Sequence, residues 1–446
     1  MRSSFSIPDA VQQALQLLNQ AGYEAYLVGG CVRDFLLGQQ PHDWDITTNA
    51  KPTAIKTVFA AYPTLETGIQ HGTITVLLQE LPIEITTYRT ESVYSDHRHP
   101  DAVCFASQLQ ADLSRRDFTI NALAYHPQTG LLDYVQGQRD LQQKLIRTVG
   151  NPQTRFQEDP LRILRGLRLA AVLGFQIQPQ TAQAMLQQKE WLQTIAAERI
   201  QQEFSRLLCG TEAANVLRNH IATISVFLPE LSAMVGFQQY NPHHIYDVWE
   251  HTLHALDTLP PNLVLRLTML FHDCGKPQTF QKIHGIGHFY GHAQASEATA
   301  QTALQRLKFP QKIIAQVLPL IKYHDMVIPT EEVFLKRWLQ KRGEAFVRQL
   351  LQIKRADNLG QHPQFHYRQQ EISQQEQLLT QILQEKQCFQ RKDLAIHGND
   401  LLQLGYPQNE SIGIVLQLLL DAVIQNQLPN EKEALLQKAQ QYFSQI

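Results

Sequence analysis

Two aspartates two residues apart, Asp43 and Asp45, lie in the segment LVGGCVRDFLLGQQPHDWDITTNA, residues 27–50. On a strand, positions i and i+2 point to one face, so both carboxylates can converge on one divalent cation while Trp44 and Ile46 face the other way. Hard oxygen donors beside a triphosphate suit Mg2+. Just upstream, Gly29 and Gly30 end a short apolar run, where a missing Cβ lets the backbone bend tightly and approach a phosphate. With a helix expected over residues 32–37 and Arg33 nearby, backbone N–H groups and a guanidinium can hold that phosphate. Each half has an ordinary structural reading, the glycines as a turn and the aspartates as a solvated strand end. In this order, within one short segment, they favour metal-assisted nucleotidyl transfer. Two ions serve that chemistry, one activating the attacking hydroxyl and one stabilising the leaving pyrophosphate.

Other chemistry-bearing residues follow. Glu84 stands between Ile83 and Ile85 on an expected strand, where an acid either meets water at a sheet edge or faces a site. Arg115 and Arg116 beside Asp117 read as a surface ion pair, which contributes little. In EDPLRILRGLRLA, residues 158–170, Asp159 before Pro160 is a good helix N-cap. Steps of three place Asp159, Arg162 and Arg165 on one broad helix face, with Ile163, Leu167 and Ala170 opposite, and an unpaired arginine row wants an anionic or hydrogen-bonding partner. Between residues 243 and 357, histidines and aspartates crowd HHIYDVWEH, FHDCGKP, GHFYGHAQAS, YHDM and KRADNLG.

The elements that must position these groups change character along the chain. Up to about residue 150, strands and helices mix: helices are expected at the start, in MRSSFSIPDAVQQAL with a cap, and over residues 52–61. A hairpin is expected in TGIQHGTITVLLQELPIEITTYRT. Beyond residue 152 helical patterns take over, with glutamine-rich stretches that keep apolar residues at helical spacing. The 446 residues suit roughly three domains. Lys+Arg 39 against Asp+Glu 41 leaves a formal charge of -2, so any nucleic-acid contact comes from local basic faces rather than a globally cationic protein. The five scattered cysteines argue against a zinc ribbon or a disulfide framework and read as packed, reduced thiols. No apolar run approaches the roughly 20 residues of a spanning helix, which makes the cytoplasm the expected compartment and a membrane contact unexpected.

The Gly-Gly turn, V-R-D-x-L-L-G and D-x-D together resemble the signature of the class II tRNA nucleotidyltransferase and bacterial poly(A) polymerase superfamily. By that resemblance Glu84 is the third carboxylate of the metal centre beside catalytic Asp43 and Asp45. Gly30 and Arg33 belong to the nucleotide site. In DLSRRDFTINALAY, Arg116 would contact the triphosphate, with Asp117 and Asn121 by the ribose. Residues 88–105 match a flexible loop found in enzymes that add the terminal adenosine, and GIQHGTITV resembles the tRNA-specific branch. DYVQGQRDL resembles a family turn through Asp133, Gly137 and Asp140, with Tyr134 replacing the usual proline. E-D-x-x-R implies that Asp159 and Arg162 read the incoming base as a template strand would, because carboxylate and guanidinium present acceptors and donors. Arg165 and Arg168 would reach phosphates, and Arg199 and Glu203 would brace this region.

The adjacent His272 and Asp273, with His251 upstream and Asp357 downstream, resemble the metal set of the HD superfamily of phosphohydrolases. His292 and His324 stand where some members place additional ligands, and Lys276 fits a phosphate contact. Imidazole with carboxylate suits Mn2+, Ni2+, Fe2+ or Zn2+. The resemblance as a whole implies an α+β chain. A polymerase-β-like α/β nucleotidyltransferase head (1–150) precedes an all-helical recognition neck (151–238), an HD domain (239–362) and a tRNA-binding tail (363–446). It implies addition of C, C and A to the tRNA acceptor end from CTP and ATP. Addition of A alone and poly(A) synthesis are the alternatives, and the oligomeric state stays open.

Overall fold

A computed structural model describes residues 7–91 and 103–443. The chain forms two compact units, Met1–Pro229 and Glu230–Ile446. The first is built on a seven-stranded mixed sheet of β1 (Ala25–Val28), β2 (Trp44–Thr48), β3 (Thr64–Leu65), β4 (Thr73–Leu78), β5 (Leu81–Thr87), β6 (Leu123–His126) and β7 (Gly130–Asp133), in the order β3-β4-β5-β2-β1-β6-β7. Alternation decides its faces. Ile74, Val76, Ile83 and Ile85 are buried, as are Trp44 and Ile46, and helices Asp9–Gln20 and Pro52–Val58 cover that side with Val11, Leu15, Leu18 and Ile55. Glu84 and Asp45 take the intervening positions.

Most expected elements are present with shifted ends. The first helix starts after Pro8 and has no side-chain cap. The hairpin is β4–β5, turning through Gln79 and Glu80, both at positive φ. Helix Gly30–Leu36 begins two residues earlier than expected. Where a loop is expected over residues 88–105, both ends are paired strand, Arg89–Glu91 with Val103–Phe105, and residues 92–102 lie outside the described residues. The turn at residues 133–140 forms despite Tyr134, because the Asp133 carboxylate accepts from the N–H groups of Val135, Gly137 and Gln138 at 3.0, 2.9 and 2.9 Å. Asp140 is buried against the Thr119 hydroxyl at 2.6 Å.

The part beyond residue 150 is helical but not wholly so. Gln176–Ile177 pairs in parallel with Leu145–Ile146, and a hairpin joins Gln281–Ile283 to Ile286–His288. That hairpin is short and flanked by polar residues, too little periodicity to read in the sequence. The second unit ends in helices Gly398–Gln403, Glu410–Ile424 and Lys432–Phe443 around Leu401, Val415, Leu419 and Leu435. Cys31, Cys274 and Cys388 are buried as expected of packed thiols, whereas Cys104 is exposed. Among the described residues, no helix is long and apolar enough to cross a membrane.

Gly137 is the tightest point of the turn behind the first site: a Cβ there would lie 2.2 Å from the Thr119 carbonyl oxygen, backbone that has little room to yield. Gly137→Ala is expected to cost about 1–3 kcal/mol, as overpacking does. A denaturant melt should show a lowered midpoint with an unchanged slope.

Candidate functional site

Strand β2 runs parallel to β5 with Asp45 directly opposite Glu84, so the two carboxylates are lateral neighbours on the face away from the core. Asp43 is not on the strand as expected: it occupies an exposed bend one residue before Trp44. The Asp45 carboxyl is pushed up to about 6, first by partial burial and then by the charge of Glu84, with Asp43 adding to it and Arg116 opposing. Gly29, at φ +83, sits between two of these groups, since a Cβ there would lie 3.5 Å from Arg116 Nη1 and 3.6 Å from Asp45 Oδ2. The glycine turn therefore lets the backbone pass between an acid that needs a cation and an arginine suited to phosphate. Gly30 follows as the first residue of a helix of seven, too short for its dipole to hold an anion unaided.

The basic side chains around this patch are held by acids. Arg33 donates to Asn121 Oδ1 at 2.7 Å and to Asp34 Oδ1 at 2.6 Å. Asn121 Nδ2 reaches Asp117 Oδ1 at 3.4 Å, and Asp117 Oδ2 pairs with Arg165 at 2.8 Å. Burial works to raise the Asp117 carboxyl, but Arg165, the Phe118 N–H and Arg162 outweigh it and hold it low. The pair of Arg115 and Arg116 is no surface ion pair with Asp117. Both lie on Asp112, which is fully buried, at 2.7 and 3.1 Å, and the Thr47 hydroxyl of β2 donates to the same carboxylate at 3.0 Å. Asp112 thus ties the two arginines to β2. The sequence reading missed it, although an acid at i−3 and i−4 from two arginines on a helix is a visible signal.

Helix Leu161–Leu173 carries the expected arginine face, but the arginines are paired. Arg162 is buried against Glu158 at 2.6 Å, Arg165 lies on Asp117, and Arg168 meets Glu203 at 2.8 Å. The expectation of an unpaired row fails because Glu158, Asp117 and Glu203 converge from three other elements. Asp159 has a divided role: Oδ1 accepts the Leu161 N–H at 3.1 Å as a cap, and Oδ2 pairs with Arg199 at 3.3 Å. Arg199 and Glu203 therefore brace Asp159 and Arg168 across the helices rather than each other.

The second cluster is in the other unit. His251 and His272 face each other, Nε2 to Nε2, at 3.3 Å. Asp357 Oδ1 lies 2.9 Å from His251 and 3.6 Å from His272, and Asp273 Oδ2 lies 3.5 and 3.2 Å from them. All four expected residues thus come together, with His251, His272 and Asp273 fully buried. Burial would lower the His272 imidazole, but Asp273 and Asp357 outweigh it and push it up to about 10. Asp273 is held well below the usual carboxylate range by His272 and Lys276 in spite of burial, and Asp357 by His251 and His272. Lys276 Nζ lies 2.6 Å from Asp273 Oδ2, already engaged by an acid. His244, 4.7 Å from the His251 ring, is driven down to about 2, mostly by burial, and stays neutral.

Comparison with known proteins bears on the whole chain. Residues 25–147 match the family described as Poly A polymerase head domain, and residues 282–439 that described as tRNA nucleotidyltransferase domain 2. A CCA-adding enzyme of Levilactobacillus brevis is 35% identical over 440 residues, 96% of this chain and 98% of the relative. The chain belongs to the CCA-adding enzyme family. The CCA-adding enzyme of Limosilactobacillus reuteri is 33% identical over 98% of this chain and 97% of its own length. For the one of Lactobacillus delbrueckii, the match reaches 46% over 209 residues but spans 47% of this chain and about half, 52%, of that relative. Among solved structures, the Bacillus stearothermophilus CCA-adding enzyme in complex with CTP superposes with a TM-score of 0.70 at 26% identity, covering 98% of this chain and 99% of that one. The Thermotoga maritima enzyme complexed with tRNA, at 20% identity and a TM-score of 0.60 over 99% and 97% of the two chains, shares the fold.

Membership of the CCA-adding family implies divalent-metal chemistry in the head, and the raised Asp45 gives it a measurable sign. An acid raised from 3.8 to about 6 on folding adds stability below pH 4 relative to neutral pH, and that stability is lost as pH rises through 6. Above pH 6 the ionised carboxylate costs the folded state about 3 kcal/mol. Asp45→Asn removes that cost. It is expected to raise the melting temperature of the metal-free protein at pH 8, to leave it unchanged at pH 4, and to abolish nucleotide addition. An unchanged melting temperature at pH 8 would show that Glu84 and burial do not act on Asp45 as described.

Proposed function

We propose that this chain completes the 3′ end of tRNA by adding C, C and A in turn from CTP and ATP, without a nucleic-acid template and with release of diphosphate. The observation that carries the reading is the parallel register that sets Asp45 beside Glu84, next to Gly29 and Arg116, in a chain related end to end to CCA-adding enzymes. Asp43, Asp45 and Glu84 are hard oxygen donors with surplus negative charge, which fits Mg2+. Bound there, the metal would supply Lewis acidity to the attacking hydroxyl and the leaving diphosphate. Glu84 adds to the negative field that holds it. Arg33 and Arg116 face the same patch and are the triphosphate contacts, with Gly30 in the turn between them. Asp117 and Asn121, fixed by Arg165 and Arg33, flank the ribose.

Asp159 and Arg162 read the base. Each is anchored from behind, Asp159 by Arg199 and Arg162 by Glu158, so a pairing edge is held in place before the nucleotide arrives. Arg165 and Arg168 act here as charge supports, through Asp117 and Glu203. We further infer that His251, His272, Asp273 and Asp357 hold a divalent transition metal. The four-part division at residues 150, 238 and 362 describes how these roles are shared, with the C-terminal part gripping tRNA, and the setting is the cytoplasm.

Trimmed tRNA offered CTP and ATP separately tests the whole reading. Incorporation of two C residues and then A is expected, while addition of A alone to tRNA ending in C-C, or A tails on unstructured RNA, would overturn it. Asp159→Asn tests the base reader. Asparagine caps a helix about as well as aspartate, so the Leu161 cap survives, but the charge facing the base and Arg199 is gone. A roughly tenfold loss of CTP over UTP discrimination is expected, the scale of about 1.4 kcal/mol for a charged hydrogen bond. An unchanged CTP/UTP incorporation ratio would leave Asp159 as a cap alone.

A further inference from the structure

Asp112, fully buried on helix Leu109–Ser114, collects donors from three parts of the head. Its Oδ2 accepts from the Thr47 hydroxyl of β2 at 3.0 Å and from Arg116 Nη2 at 3.1 Å. Its Oδ1 accepts from Arg115 Nε and Nη2 at 2.9 and 2.7 Å, and from the N–H of Arg89, which opens the strand after β5, at 3.4 Å. Burial works to raise this carboxyl, but Arg116 and Arg115 outweigh it and hold it low, so it stays ionised. We propose that Asp112 is a positioning residue of the nucleotide site. It holds the Arg116 guanidinium beside Asp45 and off it, which leaves the arginine open to the triphosphate and the aspartate open to the cation. This rests on the assignment of Asp45 to the metal and Arg116 to the triphosphate.

Three features carry it. The first is register. Asp45 and Thr47 are two apart on β2 and share a face, and Thr47 lies opposite Thr86 just as Asp45 lies opposite Glu84. At the usual rise per residue the two positions are about 7 Å apart along the strand. The carboxylate bound to Thr47 therefore stands next in line to Asp45 and competes with it for one arginine.

The second is Arg116 itself. While Nη2 lies on Asp112, Nη1 comes to 3.5 Å from the point where a Cβ of Gly29 would stand, and Asp45 Oδ2 lies 3.6 Å from that same point. Among the described residues, the contact with Asp112 is the one side-chain hydrogen bond of Arg116, its Nε is buried without a partner, and no ion pair joins it to Asp45. One acid thus decides which way this charge faces. Without the negative charge of Asp112, guanidinium and Asp45 carboxylate would join and mask each other. The third is reach. The backbone carbonyl of Arg115 accepts from Arg162 Nη2 at 3.4 Å, so the turn that Asp112 fixes also backs the base-reading arginine.

CTP binding to the full chain, measured with Mg2+ and without tRNA, tests this with no acceptor hydroxyl present and hence no addition. Asp112→Asn keeps the shape of the side chain and removes its charge, and about tenfold weaker binding is expected, the scale of one charge-assisted hydrogen bond. Thr47→Val removes only the hydroxyl donor. It should weaken binding about threefold, and it carries the test if Asp112→Asn fails to fold. In the Arg116→Ala background Asp112→Asn should add no further loss, because it acts through that arginine. Wild-type affinity in Asp112→Asn, or in Thr47→Val where that variant stands in for it, overturns the positioning role. So does a full tenfold loss repeated in the Arg116→Ala background. In tRNA extension Asp112→Asn should raise KM for CTP and the Mg2+ concentration for half-maximal rate, with kcat at saturation falling less than about threefold. A fall in kcat with KM and the Mg2+ requirement unchanged is what a purely structural knot would give, and overturns the proposal. Wild-type CTP affinity in Arg116→Ala alone overturns the triphosphate contact itself, and the positioning role with it.

Discussion

Like charges on adjacent strands are the constraint behind the first unit. Parallel pairing of β2 with β5 leaves no freedom in where Asp45 and Glu84 sit, because Ile46, Ile83 and Ile85 must turn to the core and the acids must then turn away from it. The Asp45 carboxyl so placed is pushed up to about 6, first by burial and then by the charge of Glu84, so its ionised form sits in conflict with its surroundings. A cation relieves it. The metal-free fold is therefore less stable than it would be with neutral side chains at these positions, and metal binding recovers the difference by linkage.

Positive charge in the same unit is managed in the opposite way. Asp112, Asp117, Glu158 and Glu203 each hold one or two arginines, and Asp112 and Asp117 are buried. Removing one acid would leave a buried guanidinium without its partner, which costs far more than a surface pair. The arrangement fixes the guanidinium planes before any nucleotide arrives, and orientation fixed in advance lowers the entropy lost on binding.

Much of this was legible in the sequence where the signal is local. The glycine turn, the alternation of the hairpin, Asp159 before Pro160, and the H…HD…D set all depend on residues near each other or on residue types with few other uses. What escaped was long-range pairing. Nothing in the spacing of Arg165 and Arg168 says that Asp117 and Glu203 will meet them, because those acids lie up to 48 positions away, as Asp117 does from Arg165, whereas Glu158, four residues before Arg162, is a local partner the spacing does show. Asp43 was placed on the strand by its D-x-D spacing. The structure stops the strand at Trp44, where the ladder to Ile83 begins, and leaves Asp43 free of it.

The histidine cluster shows why a local rule can still place a distant group well. His272 directly follows helix Leu263–Phe271, and His324 directly follows helix Gln311–Tyr323. The last carbonyls of a helix lack intrahelical donors, and in both cases the imidazole Nδ1 satisfies the carbonyl three residues back, Met269 or Ile321. That bond sets the tautomer and the ring direction together, so Nε2 points beyond the helix end. The helix C-terminus itself carries partial negative charge, which favours a cation at that point. Two helix ends that meet at Asp273 therefore contribute imidazoles, orientation and field at once, and no long-range coordination of side chains is needed beyond bringing the ends together. Those helices pack on each other, and Leu267, Leu270, Val317 and Leu320 on them are fully buried. The geometry of the histidine cluster is thereby a consequence of ordinary core packing.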